Sequence, residues 1–205
     1  MGKNAETGLK VLGVGLSRTG TTSLMQALEV LGYKTIHFDD ECLNDIIFNY
    51  VDEFDFRCYD HVDAVLDIPS AYFYDEILAA YPDCKAILTV RDIESWFKGF
   101  VAHEARTRNR WNIAKMRVEH ANAGPIQWFP IAHRRIVYGS HSLHPYIYKK
   151  KYRDHNRHVQ QDIDKDRLLV MDIFNGDGWP ELCGFLDRPI PDIVFPCANQ
   201  GETAF

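Results

Sequence analysis

Residues 17–22 read Ser17-Arg18-Thr19-Gly20-Thr21-Thr22, which is four hydroxyls, one glycine and one cation in six positions. Such a run can hold an anion. Apolar residues Val11 to Leu16 precede it and an apolar-periodic stretch follows, so the order is strand, glycine-bearing turn, then a helix that starts at Thr21 or Thr22. Backbone N–H groups of the turn and of the helix N-terminus converge on one point, where the helix dipole adds partial positive charge. The spacing Gly15-x4-Gly20 matches the opening of a Walker A loop, which continues Gly-Lys-Ser/Thr and uses the lysine to reach the β- and γ-phosphates of a nucleoside triphosphate. Thr21 stands where that lysine belongs, and Arg18, the one cation in the loop, brings charge from the other side of the anion. An ordinary ATP or GTP site is therefore disfavoured.

The same residues resemble the 5′-phosphosulfate loop of sulfotransferases, often written Pro-Lys-Ser-Gly-Thr-Thr. The resemblance implies 3′-phosphoadenosine 5′-phosphosulfate (PAPS) as the sulfuryl donor. It places Arg18 on the phosphosulfate bridge, with Ser17, Thr19, Gly20, Thr21 and Thr22 around the 5′-phosphate. A second segment, Cys84-Lys-Ala-Ile-Leu-Thr-Val-Arg91-Asp92, is similar to the family strand that ends in Arg-Asp/Asn-Pro and leads into a helix. That assigns Arg91 to the 3′-phosphate, with a capping ion pair to Asp92 or Glu94 as the alternative. The family serine eight residues on is Gly99 here, and Ser95, one turn back, would serve only from a different face of the helix.

Val62-Asp-Ala-Val-Leu-Asp67-Ile68-Pro69 is a further apolar run. Its last three residues occupy the place of the His-Leu-Pro in cytosolic sulfotransferases, where the histidine is the general base. The resemblance thus puts a carboxylate, Asp67, in the base position, a role that partial burial favours by raising a carboxylate's proton affinity. Asp67 could instead cap the helix that starts near Pro69-Ser70. His37, at the end of the short strand Tyr33 to His37, is the other candidate base.

These side chains need a frame that brings strand ends together. Apolar runs near residues 11, 35, 64, 85 and 168 alternate with helical patterns, which predicts an α/β fold with a mostly parallel sheet between helices, a three-layer sandwich of the P-loop NTPase type. Asp166 to Asp172 reads as the last core strand, and Trp179 to Leu186 as a closing helix before an extended ending. One domain over 1–205 is expected, with residues 1–8 as a mobile tail and roughly 100–160 as a helical cap within it. From His103 to Arg157 there are twelve Lys/Arg against three Asp/Glu, in a chain whose net charge is −6. Such a basic segment concentrates positive potential where an anion arrives. Its interleaved aromatics raise the possibility of nucleic-acid binding, but no nucleic-acid module accompanies them. Although Gly176-Asp-Gly-Trp179 lies near the right place, the late Arg-Lys-Gly and Gly-Asp-Trp motifs of cytosolic sulfotransferases are missing.

The chain is 205 residues long, 46% hydrophobic and 25% charged, enough for one sizeable core. No apolar run approaches the ~20 residues that cross a bilayer, and Met1 to Lys10 has no leader-like apolar core. We read a cytoplasmic protein acting on a small-molecule acceptor, with neither membrane nor nucleic acid as partner. Five cysteines without ligand spacing imply reduced thiols and no structural zinc. Sulfuryl transfer itself needs no metal ion, and the sequence shows no evident magnesium-binding carboxylate beside the loop. Two other classes stay open. One is a P-loop kinase of a small metabolite, which requires Mg²⁺ and a substitute for the missing lysine; the other is a non-catalytic nucleotide-binding or interaction protein.

Overall fold

A computed structural model describes residues 8–39, 41–48, 51–107, 129–140 and 142–198. Residues 1–7 of the expected tail and 108–128 of the expected cap lie outside the described residues, and with them Arg108, Arg110, Trp111, Lys115, Arg117 and Trp128. The elements in chain order are β1 (Val11–Gly13), α1 (Thr21–Val30), β2 (Thr35–His37), α2 (Asn44–Phe48), β3 (Ala64–Leu66), α3 (Tyr74–Ala80), β4 (Lys85–Thr89), α4 (Ile93–Thr107), α5 (Phe129–Tyr138), α6 (Pro145–Asp162), β5 (Leu168–Met171) and α7 (Trp179–Leu186).

The five strands form one sheet in the order β2-β3-β1-β4-β5, and every neighbouring pair is parallel. Short continuous apolar strands are what a sheet buried on both faces demands. Side chains alternate accordingly: Val11, Ala64, Leu66 and Ile87 face a layer made by α1 and α7, through Leu24, Leu28, Trp179 and Leu182. Leu12, Val65, Ala86 and Leu88 face the opposite layer, made by Ile77 and Leu78 of α3 and Val159 of α6. The chain leaves β1 toward β2 on one side, then crosses back from β3 to β4 on the other. The crevice beyond the carboxyl end of β1 therefore lies at a topological switch point, where such sheets take their ligands.

Above that end sits a third cluster, Trp96 and Phe100 of α4, Val137 and Tyr138 of α5, and Tyr148 and Tyr152 of α6, packed on Leu16 and Ile68. Tyr152 stacks on Trp96 at 4.3 Å and Tyr138 on Tyr148 at 4.7 Å between ring centroids. Where it is described, the basic segment is helical except for the turns at 139–140 and 142–144, and it is not set apart from the sheet. α6 begins over the loop and ends against the sheet at Val159, with Ile163 just beyond it in the same cluster. Several of its charges are locally paired, Lys149 with Glu94 at 2.6 Å, and Lys150 and Arg157 both with Asp154.

Candidate active site

The loop after β1 is shaped by close approaches. Gly15 passes so near β4 that a Cβ there would run into Thr89 Oγ1 and stand 2.9 Å from the Thr89 backbone N and O, so no other residue fits. Val14 donates its N–H to Ile87 O at 2.9 Å, and its carbonyl accepts from His155 Nε2 of α6 at 2.7 Å. Trp96 Nε1 donates to Ser17 O at 2.9 Å. Arg18 (φ 74°) and Gly20 (φ 102°) take left-handed backbone conformations, which turns the chain sharply into α1. α1 starts at Thr21 with no side-chain cap and no acid in its first turn, so its leading N–H groups are left for an anion. Thr19 is fully buried, and its hydroxyl is engaged with Leu16 O and Thr89 Oγ1, both at 2.6 Å. What Thr19 can offer a ligand is its backbone N–H.

Parallel pairing places His37 opposite Leu66, so the residue after Leu66, Asp67, emerges beside it. The two candidate bases form one group. Asp67 Oδ2 lies 3.3 Å from His37 Nε2 and accepts from Thr21 Oγ1 at 3.1 Å, while Thr21 Oγ1 is 3.0 Å from the same imidazole nitrogen. Asp67 Oδ1 accepts a short hydrogen bond from Ser17 Oγ and another from its neighbouring Ile68 N at 2.7 Å. Helix capping is done by the backbone instead: Asp67 O accepts from Ala71 N and Ser70 Oγ. The carboxylate faces the loop. The carboxylate that the resemblance put in the base position thus stands beside the loop, and its meeting with His37 arises from sheet order, which leaves no trace in spacing.

Arg91 follows β4 and is clamped at both backbone polar groups by Tyr152, whose hydroxyl accepts from Arg91 N and donates to Arg91 O, each at 2.8 Å. The alternative capping ion pair is not formed, since Asp92 Oδ1 caps Ser95 N at 2.9 Å and Glu94 pairs with Lys149. Instead Arg91 Nε donates to Ser95 Oγ at 2.9 Å, and the guanidinium lies 3.8 Å from the centroid of the Phe174 ring. Its other side touches Gly99, where a Cβ would stand 3.2 Å from Nη1. Ser95 and Gly99 therefore share one helix face, as residues four apart must, and the expectation of a different face for Ser95 is corrected. Burial, and next the like charge of Arg18, hold the Arg91 guanidinium below its usual pKa, with Asp172 opposing. Gly20, two residues after Arg18, lies against the same Phe174 ring, so the loop and Arg91 adjoin.

A family model described as "Sulfotransferase domain" matches residues 10–204. The chain belongs to the sulfotransferase domain family. A relative from Aspergillus versicolor, "Ava biosynthesis cluster protein M", is 30% identical over 220 residues, spanning 95% of this chain and 83% of its own. A crystal structure of a sulfotransferase from Alicyclobacillus acidocaldarius superposes with a TM-score of 0.53 at 16% identity, covering 94% of this chain and 85% of the other. At that identity the likeness supports the fold alone.

Several residues of this sulfotransferase-family site carry no motif signal. Thr89, Tyr152, Phe174 and Tyr138 reach it from β4, α6, the turn after β5 and α5, and only the folded arrangement assembles them. The i, i+4 spacing of Ser95 and Gly99 was a usable signal. Trp96 is fully buried in the cluster over the loop. Among the described residues no three His, Cys, Asp or Glu side chains converge as a metal site, and no helix is long and apolar enough to cross a membrane.

Proposed function

We propose that this protein transfers a sulfuryl group from PAPS to a hydroxyl or amine of a small-molecule acceptor, as a single domain in the cytoplasm. The observation that carries the reading is that Gly20 of the loop after β1 and the Arg91 guanidinium after β4 lie against the same Phe174 ring, so the loop that carries Arg18 adjoins Arg91. Two cations held that way suit one ligand with two anionic groups. PAPS, when bound, supplies the transferable sulfuryl group and leaves as adenosine 3′,5′-bisphosphate. Arg18 and the N–H groups of Thr19 to Thr22, with the Ser17 hydroxyl, neutralise charge growing at the 5′-phosphate, an effect of ~3 to 4 kcal/mol per well-placed donor. Arg91, held by Ser95, grips the 3′-phosphate, and Phe174, half exposed beside Arg91 and Gly20, offers the adenosine end an apolar face.

The acceptor's proton goes to the Asp67–His37 pair. Ser17, Ile68 N and Thr21 already donate to Asp67, so His37, the more exposed partner at 21% against 9%, is the member that meets the acceptor. Asp67 then stabilises the imidazolium. One feature favours a second reading: Asp67 beside Thr21 could hold Mg²⁺ for a phosphoryl transferase. Calorimetric titration with adenosine 3′,5′-bisphosphate and with ATP–Mg²⁺ separates the two. Tighter binding of the bisphosphate, together with label transfer from [³⁵S]PAPS to an acceptor panel, is the expected result. Preference for ATP–Mg²⁺ overturns it, and bisphosphate binding with no transfer across a broad panel leaves a nucleotide-binding protein without catalysis.

A further inference from the structure

Tyr138 ends α5 and is fully buried, yet its hydroxyl meets no hydrogen-bond partner among the described residues. Aromatic packing pins the ring: it stacks on Tyr148, meets Phe100 edge-on at 5.3 Å and lies 6.2 Å from Trp96, whose indole N–H holds the Ser17 carbonyl. A buried unsatisfied hydroxyl is unfavourable, and phenylalanine would fill the same space without it.

The groups around the phenol show where it can be used. The Tyr138 ring packs in one cluster with Leu16 and Ile68, the chain neighbours of Ser17 and Asp67, and burial first, then the negative charge of Asp67, raise its pKa well above the ordinary value. The phenol therefore stays protonated and remains a donor. Ser17 has a single hydroxyl proton, and without a ligand it is given to Asp67 Oδ1. An anion in the loop competes for that proton. When Ser17 turns to it, Asp67 loses a donor in a buried setting, which is unfavourable unless another donor takes its place.

We propose that Tyr138 is a positioning residue, a reserve donor that takes over Asp67 when Ser17 turns its hydroxyl to an anion in the loop. This rests on the anion-binding reading of the loop given above. The exchange couples loop occupancy to the carboxylate that orients His37, with no covalent step.

A thermal double-mutant cycle tests it without any ligand. Tyr138→Phe should raise Tm by about 2 to 4 °C in the wild-type background, where it removes an unsatisfied buried hydroxyl. In a Ser17→Ala background, where Tyr138 already serves Asp67, it should lower Tm by about 3 °C. Equal shifts in the two backgrounds mean that the ring only packs, and overturn the proposal. In calorimetry, Tyr138→Phe should raise the Kd for adenosine 3′,5′-bisphosphate about tenfold; an unchanged Kd overturns it too, and this arm does not need Ser17→Ala to fold. If the wild type ignores the bisphosphate but binds inorganic sulfate, the nucleotide reading fails by itself, and the same Kd comparison made with sulfate decides the role of Tyr138.

Discussion

At the scale of single residues, the proposed site divides into two arginines assigned to binding and a pair assigned to the acceptor's proton. Removing either guanidinium deletes charge-assisted hydrogen bonds of about 1.5 to 3 kcal/mol, so Arg18→Ala and Arg91→Ala should each weaken adenosine 3′,5′-bisphosphate about 10- to 100-fold by calorimetry. Arg91→Lys should recover little, because Ser95 and the Phe174 face hold a planar fork rather than a point charge. Asp67→Asn behaves differently. Its amide NH₂ must face either the Ser17 hydroxyl and Ile68 N–H or the Thr21 and His37 side, all of which donate to, or closely approach, the carboxylate. The variant should lose about 1 to 3 kcal/mol of stability in denaturant titration. Turnover should fall by about 100-fold or more with a smaller change in bisphosphate affinity, and His37→Gln should show a comparable fall in turnover at near-normal stability. Full turnover in Asp67→Asn would remove the pair from the mechanism.

At the scale of elements, α4 carries a test that separates folding from binding. Gly99 lies inside a 15-residue helix, where alanine is favoured by about 1 kcal/mol, and among the described residues the only close neighbour of an added Cβ is the guanidinium of Arg91. Gly99→Ala should raise Tm by about 2 °C while displacing the guanidinium and weakening the bisphosphate several-fold. A scan and a titration on the same preparation check both signs. What was legible in the sequence follows from the same distinction between local and long-range order. The β1 strand, the glycine turn and the helix start at Thr21 are written in contiguous residues, and so are β4, β5 and α7, because apolar runs and turn residues act over a few positions. The meeting of Asp67 with His37 was not legible, since it depends on β2 lying beside β3 with His37 opposite Leu66. The stacking of Arg91 on Phe174 likewise needs β5 to lie beside β4. Asp92, proposed as a partner for Arg91, was drawn to the nearer backbone N–H of Ser95 instead.

At the scale of the whole molecule, α6 joins the three layers to the site. It contributes Tyr148 and Tyr152 to the cluster over the loop, Val159 to the core beneath the sheet, and between them His155, which donates to the carbonyl of Val14 at the head of the loop. The imidazole also meets the edge of Tyr74 at 5.8 Å. Burial is the main reason its pKa lies below the ordinary 6.5, and the nearby His158 pushes the same way while the Val14 bond opposes. The sign of the linkage follows from that direction. Between the depressed folded value and the ordinary one, the unfolded chain binds more protons than the folded chain, so stability present above pH 6.5 is lost as the pH falls through the folded pKa. Tm should therefore decline as the pH falls below about 6.5, before most carboxylates titrate. His155→Gln keeps an amide N–H for the Val14 carbonyl and removes the titration, so its Tm should change less over that interval. Parallel pH profiles for the two proteins would show that the acid sensitivity arises elsewhere. A flatter profile in the variant, accompanied by bisphosphate binding that survives acidification better than in the wild type, would show that the α6 contact at Val14 sets both the stability and the shape of the anion-binding loop.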